Sequence, residues 1–443
     1  MKKIMFYCQY LSGMGHLVRS TEIVRQLVKD FKVYFINGGP NIEGFEMPPE
    51  VEIIKLPALW LENGQFTVGN SYMSVEEVKE FRKNLLISEF DRIQPDCLIT
   101  EFFPFGRHKL FFELIPFVKH IKSNSPNTKI ACSLRDVIGK ETNVEEEEII
   151  CNLMNCYFDL LLFHSDPSFQ TFTESFSRHQ DIKSNIIHTG FVTQTFTFNE
   201  NDIDIKQLWG TNNYRKKILV SVGGGRIGYE LLETVIEASS ILKTAIPNVI
   251  KIFTGPFMPE EKVEQLKQAA SNQDHQDNIY IERYTLQLLA YMKTADISIS
   301  LSGYNTTMNI LSTGVRALVV PIGHETQDKE QLIRTQKLEQ MGAIDFIHPD
   351  NLTPGHLVEK ILDCLSKPVT NSDLVFDMNG AENTKNFLKE FLDSLTPLQT
   401  MTILNTSPPT PLLIGEGSKY TPPSKSGGVQ LANTQTQTQG RDN

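Results

Sequence analysis

The run Ser12-Gly13-Met14-Gly15-His16-Leu17-Val18-Arg19 is the first place in this sequence where residue types and spacing suggest chemistry. It follows an apolar stretch, Lys3 to Cys8, that reads as a strand, and it opens a helical pattern. Glycines there let the backbone turn tightly beside a ligand, and the helix start favours negative charge. His16 then falls at the carboxyl edge of a sheet, where open α/β folds bind ligands, and as a base it could take a proton from a hydroxyl. A histidine that merely packs or caps the helix start has the same appearance. Glu101 closes the apolar run Cys97 to Thr100 at the same edge and could hold the other ring nitrogen; a solvated carboxylate is the alternative reading. Arg107, displayed by the turn Pro104-Phe105-Gly106, and Arg135, next to Asp136, each could clamp a carboxylate or phosphate or form a structural ion pair.

A second set lies after residue 215. Ser221-Val222-Gly223-Gly224-Gly225-Arg226 joins a strand to a helix, so backbone N–H groups and the positive helix end converge on a spot suited to a diphosphate. Ser302-Gly303-Tyr304-Asn305-Thr306-Thr307 opens another helix at a strand end, with hydroxyls able to meet phosphate oxygens, although ordinary capping also explains each start. Glu330, Gln331 and Arg334 share one helix; Glu330 and Arg334 sit at i, i+4, the spacing of a surface salt bridge or of groups aimed at sugar hydroxyls. Asp202-Ile203-Asp204 mimics an acidic metal-binding triplet but is not at a strand end, so a solvated linker is expected and no metal. Glu145 to Glu148 reads as an exposed helix face.

Positioning these residues takes two alternating strand–helix series. In the first, strands are expected at Lys3–Cys8, Lys32–Ile36, Val51–Lys55, Cys97–Thr100, Lys129–Ser133, Leu160–Phe163 and Asn185–His188, with an amphipathic helix over Val18–Lys29. The second is expected as strands 217–222, 249–253, 279–281, 297–300 and 316–320, alternating with helices 227–242, 260–270, 285–293, 305–313 and 328–340. The chain has 443 residues, more than one core usually serves. The expected fold is therefore α/β, with two Rossmann-like, doubly wound parallel-sheet domains facing a cleft: residues 1–192, a linker at 193–214, and 215–375. A helix at 376–396 and a disordered, polar tail at 397–443 follow. A net charge of −11 argues against general nucleic-acid binding. Six cysteines without a C-x-x-C pair read as reduced core residues. No apolar run is long enough to span a membrane, so a cytoplasmic protein is expected, with at most peripheral contact at the inner membrane face. A dinucleotide fingerprint would need a third glycine near Arg19 and an acidic residue after the second strand; Asn37-Gly38-Gly39 stands there instead.

Together, GMGH (13–16), PFGR (104–107), VGGG (222–225), TGPFMP (254–259), SGYNTT (302–307) and HETQDKEQ (324–331) with Arg334 resemble the GT-B glycosyltransferases. The resemblance is to the family 28 type, which includes the peptidoglycan N-acetylglucosaminyltransferase, and to a less characterised bacterial branch of it. It implies a nucleotide-diphosphate sugar, a UDP-sugar being favoured, bound by the second domain, and an acceptor, lipid-linked or small, presented by the first near Gly13, Gly15, Arg107 and Arg135. By the same resemblance Gly224 and Gly225 would approach the donor phosphates and Ser302 and Gly303 would continue that cradle, with Gly223, Arg226, Asn305 and Thr306 as further donor-binding candidates beside them. Tyr284 and Thr285 would meet the base, and Glu330, Gln331 and Arg334 the transferred sugar. His16, backed by Glu101, would be the base of an inverting, metal-independent transfer without a cofactor. Asn309 departs from the pattern, which places a glutamate for the ribose there. Three other readings remain: a nucleotide-sugar hydrolase, whose G-x-G-H-x-x-R loop Gly13 to Arg19 also resembles, a sugar-nucleotide 2-epimerase, and a non-catalytic nucleotide-sugar-binding protein.

Overall fold

The structure, a computed structural model, describes residues 1–394 except 12, 41, 43–44, 63, 70–71, 139–143, 197–202, 212–213, 272–277, 323–328 and 368–374. The expected tail at 397–443 lies outside the described residues.

The first half runs β1 (Lys3–Cys8), α1 (Gly15–Leu27), β2 (Lys32–Asn37), β3 (Glu52–Lys55), then a hairpin of β4 (Leu59–Glu62) and β5 (Gln65–Val68). It continues with α2 (Val75–Ile93), β6 (Cys97–Glu101), α3 (Phe111–Asn124), β7 (Lys129–Arg135), α4 (Val144–Tyr157), β8 (Leu160–His164), the single-turn α5 (Phe172–Ser175) and β9 (Asn185–His188). After the short α6 (Ile205–Trp209) come β10 (Lys216–Ser221), α7 (Tyr229–Ala245), β11 (Asn248–Phe253), α8 (Glu260–Ser271), β12 (Ile279–Glu282) and α9 (Leu288–Thr294). The last elements are β13 (Ile297–Leu301), α10 (Tyr304–Thr313), β14 (Ala317–Val320), α11 (Glu330–Gln340), β15 (Asp345–Phe346), α12 (Pro354–Ser366) and α13 (Gly380–Ser394).

Two parallel sheets result, ordered β3-β2-β1-β6-β7-β8-β9 and β12-β11-β10-β13-β14-β15. Each strand order reverses once, between β1 and β6 in the first sheet and between β10 and β13 in the second, and such a reversal opens a crevice at the carboxyl ends of the strands. The glycine-rich stretches follow β1, β10 and β13, so the fold places them at these two crevices.

Strands buried on both faces are near-continuous in Ile, Leu, Val and Phe, as in β1, β6, β8 and β14. Helices start where polar side chains can satisfy free backbone N–H groups: Ser74 and Glu77 form a capping box on α2, and Thr353 caps α12 ahead of Pro354. Asp204 accepts from Lys206 N and Gln207 N and caps α6, which accounts for this half of the acidic triplet; Asp202 lies outside the described residues. Helix α7 begins at Tyr229, two residues later than expected, because Gly228 takes a left-handed conformation (φ 107°) at its cap. Helix α9 starts at Leu288 rather than 285, since the Thr285 hydroxyl accepts from Gln287 N and turns the chain first.

The chain passes between the two halves twice. The passages at 190–192 and 377–380 run side by side, joined by Phe191 N to Asp377 O (2.7 Å), Gly380 N to Phe191 O (2.9 Å) and an antiparallel bridge between Val192 and Asn379. Helix α13 then returns to the first half, burying Leu388 and Leu392 with Ile4, Phe6 and Leu17 and pairing Lys389 with Asp30. A separate apolar cluster, including Val137, Phe169 and Phe191 from the first half and Tyr304, Met308 and Phe376 from the second, joins the halves below the cleft. The six cysteines are free, and all but Cys156 are buried. No helix among the described residues is long and apolar enough to cross a membrane.

Candidate active site

The two crevices face one another across a cavity of about 760 Å³. Its first wall begins with His16, in the first turn of α1, which is backed by the Glu101 carboxylate at the end of β6. His16 Nδ1 lies 2.6 Å from Glu101 Oε1. Arg19, one turn further along α1, donates to the same oxygen. Glu101 is fully buried, so it is neither a surface carboxylate nor part of the cavity wall; it stands behind His16, whose side chain is 17% exposed. Burial pushes the Glu101 carboxyl up, but the Arg19 guanidinium and the His16 hydrogen bond outweigh it and hold the group well below the usual carboxylate range. An ionised carboxylate only accepts, so the proton of neutral His16 sits on Nδ1 and the Nε2 lone pair is left for the cavity. Burial and the Arg107 guanidinium lower the His16 pKa well below 6.5 against the pull of Glu101.

Phe102 (φ 67°) packs against His16 at 5.6 Å between ring centroids and lies beneath the guanidiniums of Arg107 and Arg135, 5.7 and 5.0 Å from its centroid. Arg107 Nε and Nη2 are buried without a hydrogen-bond partner among the described residues, while Arg107, Gly13 and Gly15 all line the cavity.

The opposite wall is built from two interleaved loops. Gly223 and Gly225 adopt positive φ (63° and 84°), as does Gly255 (85°) in the facing loop. A Cβ at Gly225 would run into the Thr254 carbonyl oxygen, and one at Gly255 into the backbone of Gly223 to Gly225, so the close approach itself demands glycine. Gly225→Ala is expected to cost about 1–3 kcal/mol of stability, read as a lower urea midpoint; an unchanged midpoint would mean the loops are not held this tightly. Arg226 projects from this turn over the Phe257 ring at 5.0 Å, and the Ser221 hydroxyl in the wall has no hydrogen-bond partner among the described residues. Tyr284, Thr285, Gly303, Asn305, Thr306 and Asn309 also face the cavity. Asn305, in the first turn of α10, donates to Gly15 O at 2.9 Å and so ties the two glycine regions together.

Three of the expected site residues stand differently. Ser302 is buried beneath the wall, its hydroxyl 3.4 Å from Gln331 Oε1, because the strand continues to Leu301 and turns the side chain inward. Arg334 is completely buried and does not line the cavity; its Nε and Nη2 form two bonds to Asp136 (2.7 and 2.8 Å) and one to Glu330, and its Nη1 is buried without a hydrogen-bond partner among the described residues. Glu330 lines the cavity together with Gln331, but its carboxylate is shared between Arg334 and Arg135 of the opposite wall. Asn309 Nδ2 bonds Gln194 Oε1 at 2.5 Å. Residues 324–328 of the HETQDKEQ motif lie outside the described residues.

Arg19, Asp136 and Tyr304 were not singled out as site residues by type and spacing, although Arg19 belongs to the first motif. The Tyr304 ring sits between the guanidiniums of Arg19 and Arg334, 5.3 and 5.4 Å from its centroid, and its hydroxyl accepts from Val192 N. Only the Gly-x-x-x-Arg spacing, which puts Arg19 on the His16 side of α1, could have signalled the first of them.

Residues 219–392 match the glycosyltransferase family 28 C-terminal domain. The second half is thus similar to a family 28 C-terminal domain. The undecaprenol-pyrophosphoryl-muramyl N-acetylglucosamine transferase of Natranaerobius thermophilus is 26% identical to the chain over 165 residues, 37% of this chain and 43% of that protein. The matched stretch thus spans less than half of that relative's length. Among solved structures, Acinetobacter baumannii MurG aligns with a TM-score of 0.56 at 14% identity, covering 88% of this chain and 100% of that one. A putative UDP-N-acetylglucosamine 2-epimerase from Listeria monocytogenes aligns at 0.59 and 12%, covering 89% and 98%. These likenesses establish the fold as GT-B, and the chain is family 28-like.

Proposed function

We propose that the chain is a glycosyltransferase that moves a sugar from a nucleotide-diphosphate sugar, preferably a UDP-sugar, to an acceptor hydroxyl. The observation that carries this reading is the opposition of two complementary crevices across one cavity: His16, backed by Glu101, on one wall, and the glycine turn at 223–225 with the α10 N-terminus on the other. In this reading the donor lies on the family 28-like domain. Backbone N–H groups of the glycine turn, the start of α10 and Arg226 meet the diphosphate, Tyr284 and Thr285 lie against the base, and Gln331 with Glu330 meets the sugar. These donors stabilise the charge that develops on the departing nucleoside diphosphate, in the place a metal ion holds elsewhere. His16 Nε2 takes the acceptor proton as the hydroxyl attacks the anomeric carbon from the face opposite the leaving group, which inverts that centre. The under-satisfied Arg107 and the adjoining Arg135 sit where an anionic group of the acceptor would enter. The named relative's undecaprenol-linked acceptor favours a lipid-linked substrate reached at the inner membrane face.

A thermal-unfolding screen against UDP-, GDP- and dTDP-sugars tests donor binding. A cognate donor at a hundred times its Kd raises stability by about 2.7 kcal/mol, and no shift with any nucleotide sugar would end the proposal. Incubation of the same donors without acceptor separates transfer from hydrolysis, because release of free sugar at the full rate would assign the attacking hydroxyl to water.

A further inference from the structure

Behind the His16–Glu101 pair, the polar side chains continue into the sheet. Glu101 pairs with Ser133 across the β6–β7 ladder, and the Ser133 hydroxyl lies 3.2 Å from Glu101 Oε2, the oxygen that His16 does not use. His164, at the end of β8, places Nε2 2.8 Å from the Ser133 oxygen and Nδ1 2.7 Å from Thr189 Oγ1. Ser133 and His164 are fully buried and Thr189 nearly so, and neither Ser133 nor His164 lines the cavity.

With Ser133 donating to Glu101, the rest of the line takes one direction, in which the Thr189 hydroxyl turns to His164 rather than to Gly190 O, 3.3 Å away. Glu101 is ionised, so the Ser133 O–H donates to it. The Ser133 oxygen then accepts from His164, whose proton sits on Nε2, and the free lone pair on His164 Nδ1 accepts from the Thr189 hydroxyl. Burial, with the Arg19 guanidinium nearby, pushes the His164 pKa down to about 3 against the pull of Glu101, so this ring stays neutral and serves as a donor rather than a base. The carboxylate is thereby held by three donors from two elements: His16 and Arg19 of α1 on Oε1, and Ser133 of β7 on Oε2, with β8 bracing Ser133 through His164. The charged groups facing His16 itself are Glu101, Arg107 and Arg135. An apolar pair would fill the same space between β7 and β8 without the cost of burying three polar atoms, so the line needs a purpose beyond packing.

We propose that Ser133 and His164 are positioning residues for the His16–Glu101 pair: they fix the rotation of the Glu101 carboxylate from behind, so that His16 keeps its proton on Nδ1 and presents Nε2 to the cavity. The inference rests on His16 being the base, but its first readout does not depend on turnover. Ring-nitrogen NMR of the full chain labelled with ¹⁵N-histidine, with His16→Gln to assign the signal, reports the tautomer and titration of His16 in wild type, Ser133→Ala, His164→Leu and His164→Gln.

Wild type should show one His16 tautomer, protonated on Nδ1. Ser133→Ala and His164→Leu should mix the tautomers and raise the His16 midpoint by about half a unit or more, because a carboxylate that has lost a donor stabilises the imidazolium more strongly. His164→Gln, whose amide N–H can stand in for Nε2–H, should restore the wild-type spectrum. In turnover, Ser133→Ala should lower kcat roughly 10-fold at unchanged donor KM, a fraction of the 10²–10⁴-fold a positioned base contributes. Identical His16 tautomer and titration in wild type, Ser133→Ala and His164→Leu would overturn the proposal, as would a His164→Gln spectrum that matches His164→Leu. Ser133→Ala removes a single oxygen and carries the test alone if His164→Leu does not fold. Absence of sugar transfer by wild type, with the NMR result as expected, would instead refute the functional reading and leave the positioning intact.

Discussion

Replacing His16 with alanine is expected to lower turnover by about 10²–10⁴-fold while leaving donor binding unchanged, because the ring stands on the wall opposite the glycine turns. The effect should depend on pH in a definite sense. The His16 pKa is held well below 6.5 by burial and by Arg107, so the Nε2 lone pair is available at neutrality and above. Activity should therefore stay level as pH falls through the ordinary histidine range of about 6.5, then drop only when the depressed pKa is reached. Initial rates across pH 5 to 8 check this. A fall centred on 6.5 would mean that His16 is solvated and out of reach of the Arg107 charge, and full activity in His16→Ala would remove it from the mechanism.

The second large effect concerns stability. Asp136→Ala should cost about 3–5 kcal/mol, the usual result of removing one partner from a buried ion pair. Arg334 and Asp136 are completely buried, and the bidentate contact supplies two of the bonds that satisfy the guanidinium. Without Asp136 the cation would depend on Glu330, whose carboxylate Arg135 already shares. The double variant Asp136→Ala/Arg334→Leu should recover much of the loss, since it removes the stranded charge as well. Urea unfolding of the three proteins decides the point. A loss below about 1 kcal/mol in Asp136→Ala would show that the pair behaves as a solvated surface bridge.

The sequence made the crevices visible because their signals are local. Gly223, Gly225 and Gly303 follow apolar strand runs directly, and His16 lies eight residues past the end of β1. The near-continuous apolar runs that mark β1, β6 and β8 are legible because those strands are buried on both faces. The pairing of Arg334 with Asp136 spans 198 positions, and that of Arg19 with Glu101 spans 82, so no spacing rule could find either. Arg334 reads as a surface residue of an amphipathic helix until the two halves are brought together and cover it. Ser133 and His164 are hidden in another way: each is one polar residue in an apolar run, and only strand order places them in line. Helix α12 did carry a signal, Thr353-Pro354 followed by Leu357, Val358, Ile361 and Cys364 on one face. The β4–β5 hairpin offered little, since four-residue strands with half-exposed side chains have almost no period to read.

The paired passages at 190–192 and 377–380 set what motion the cavity can make. One tether would let the halves swivel freely, and His16 could meet the glycine turns in many registers. Two tethers stitched by backbone hydrogen bonds permit bending about the line that joins them and resist torsion around it. Bending about that line would carry His16 and the 223–225 turn along one arc, and the links Asp136–Arg334 and Asn305–Gly15 across the cleft fix the alignment at its closed end.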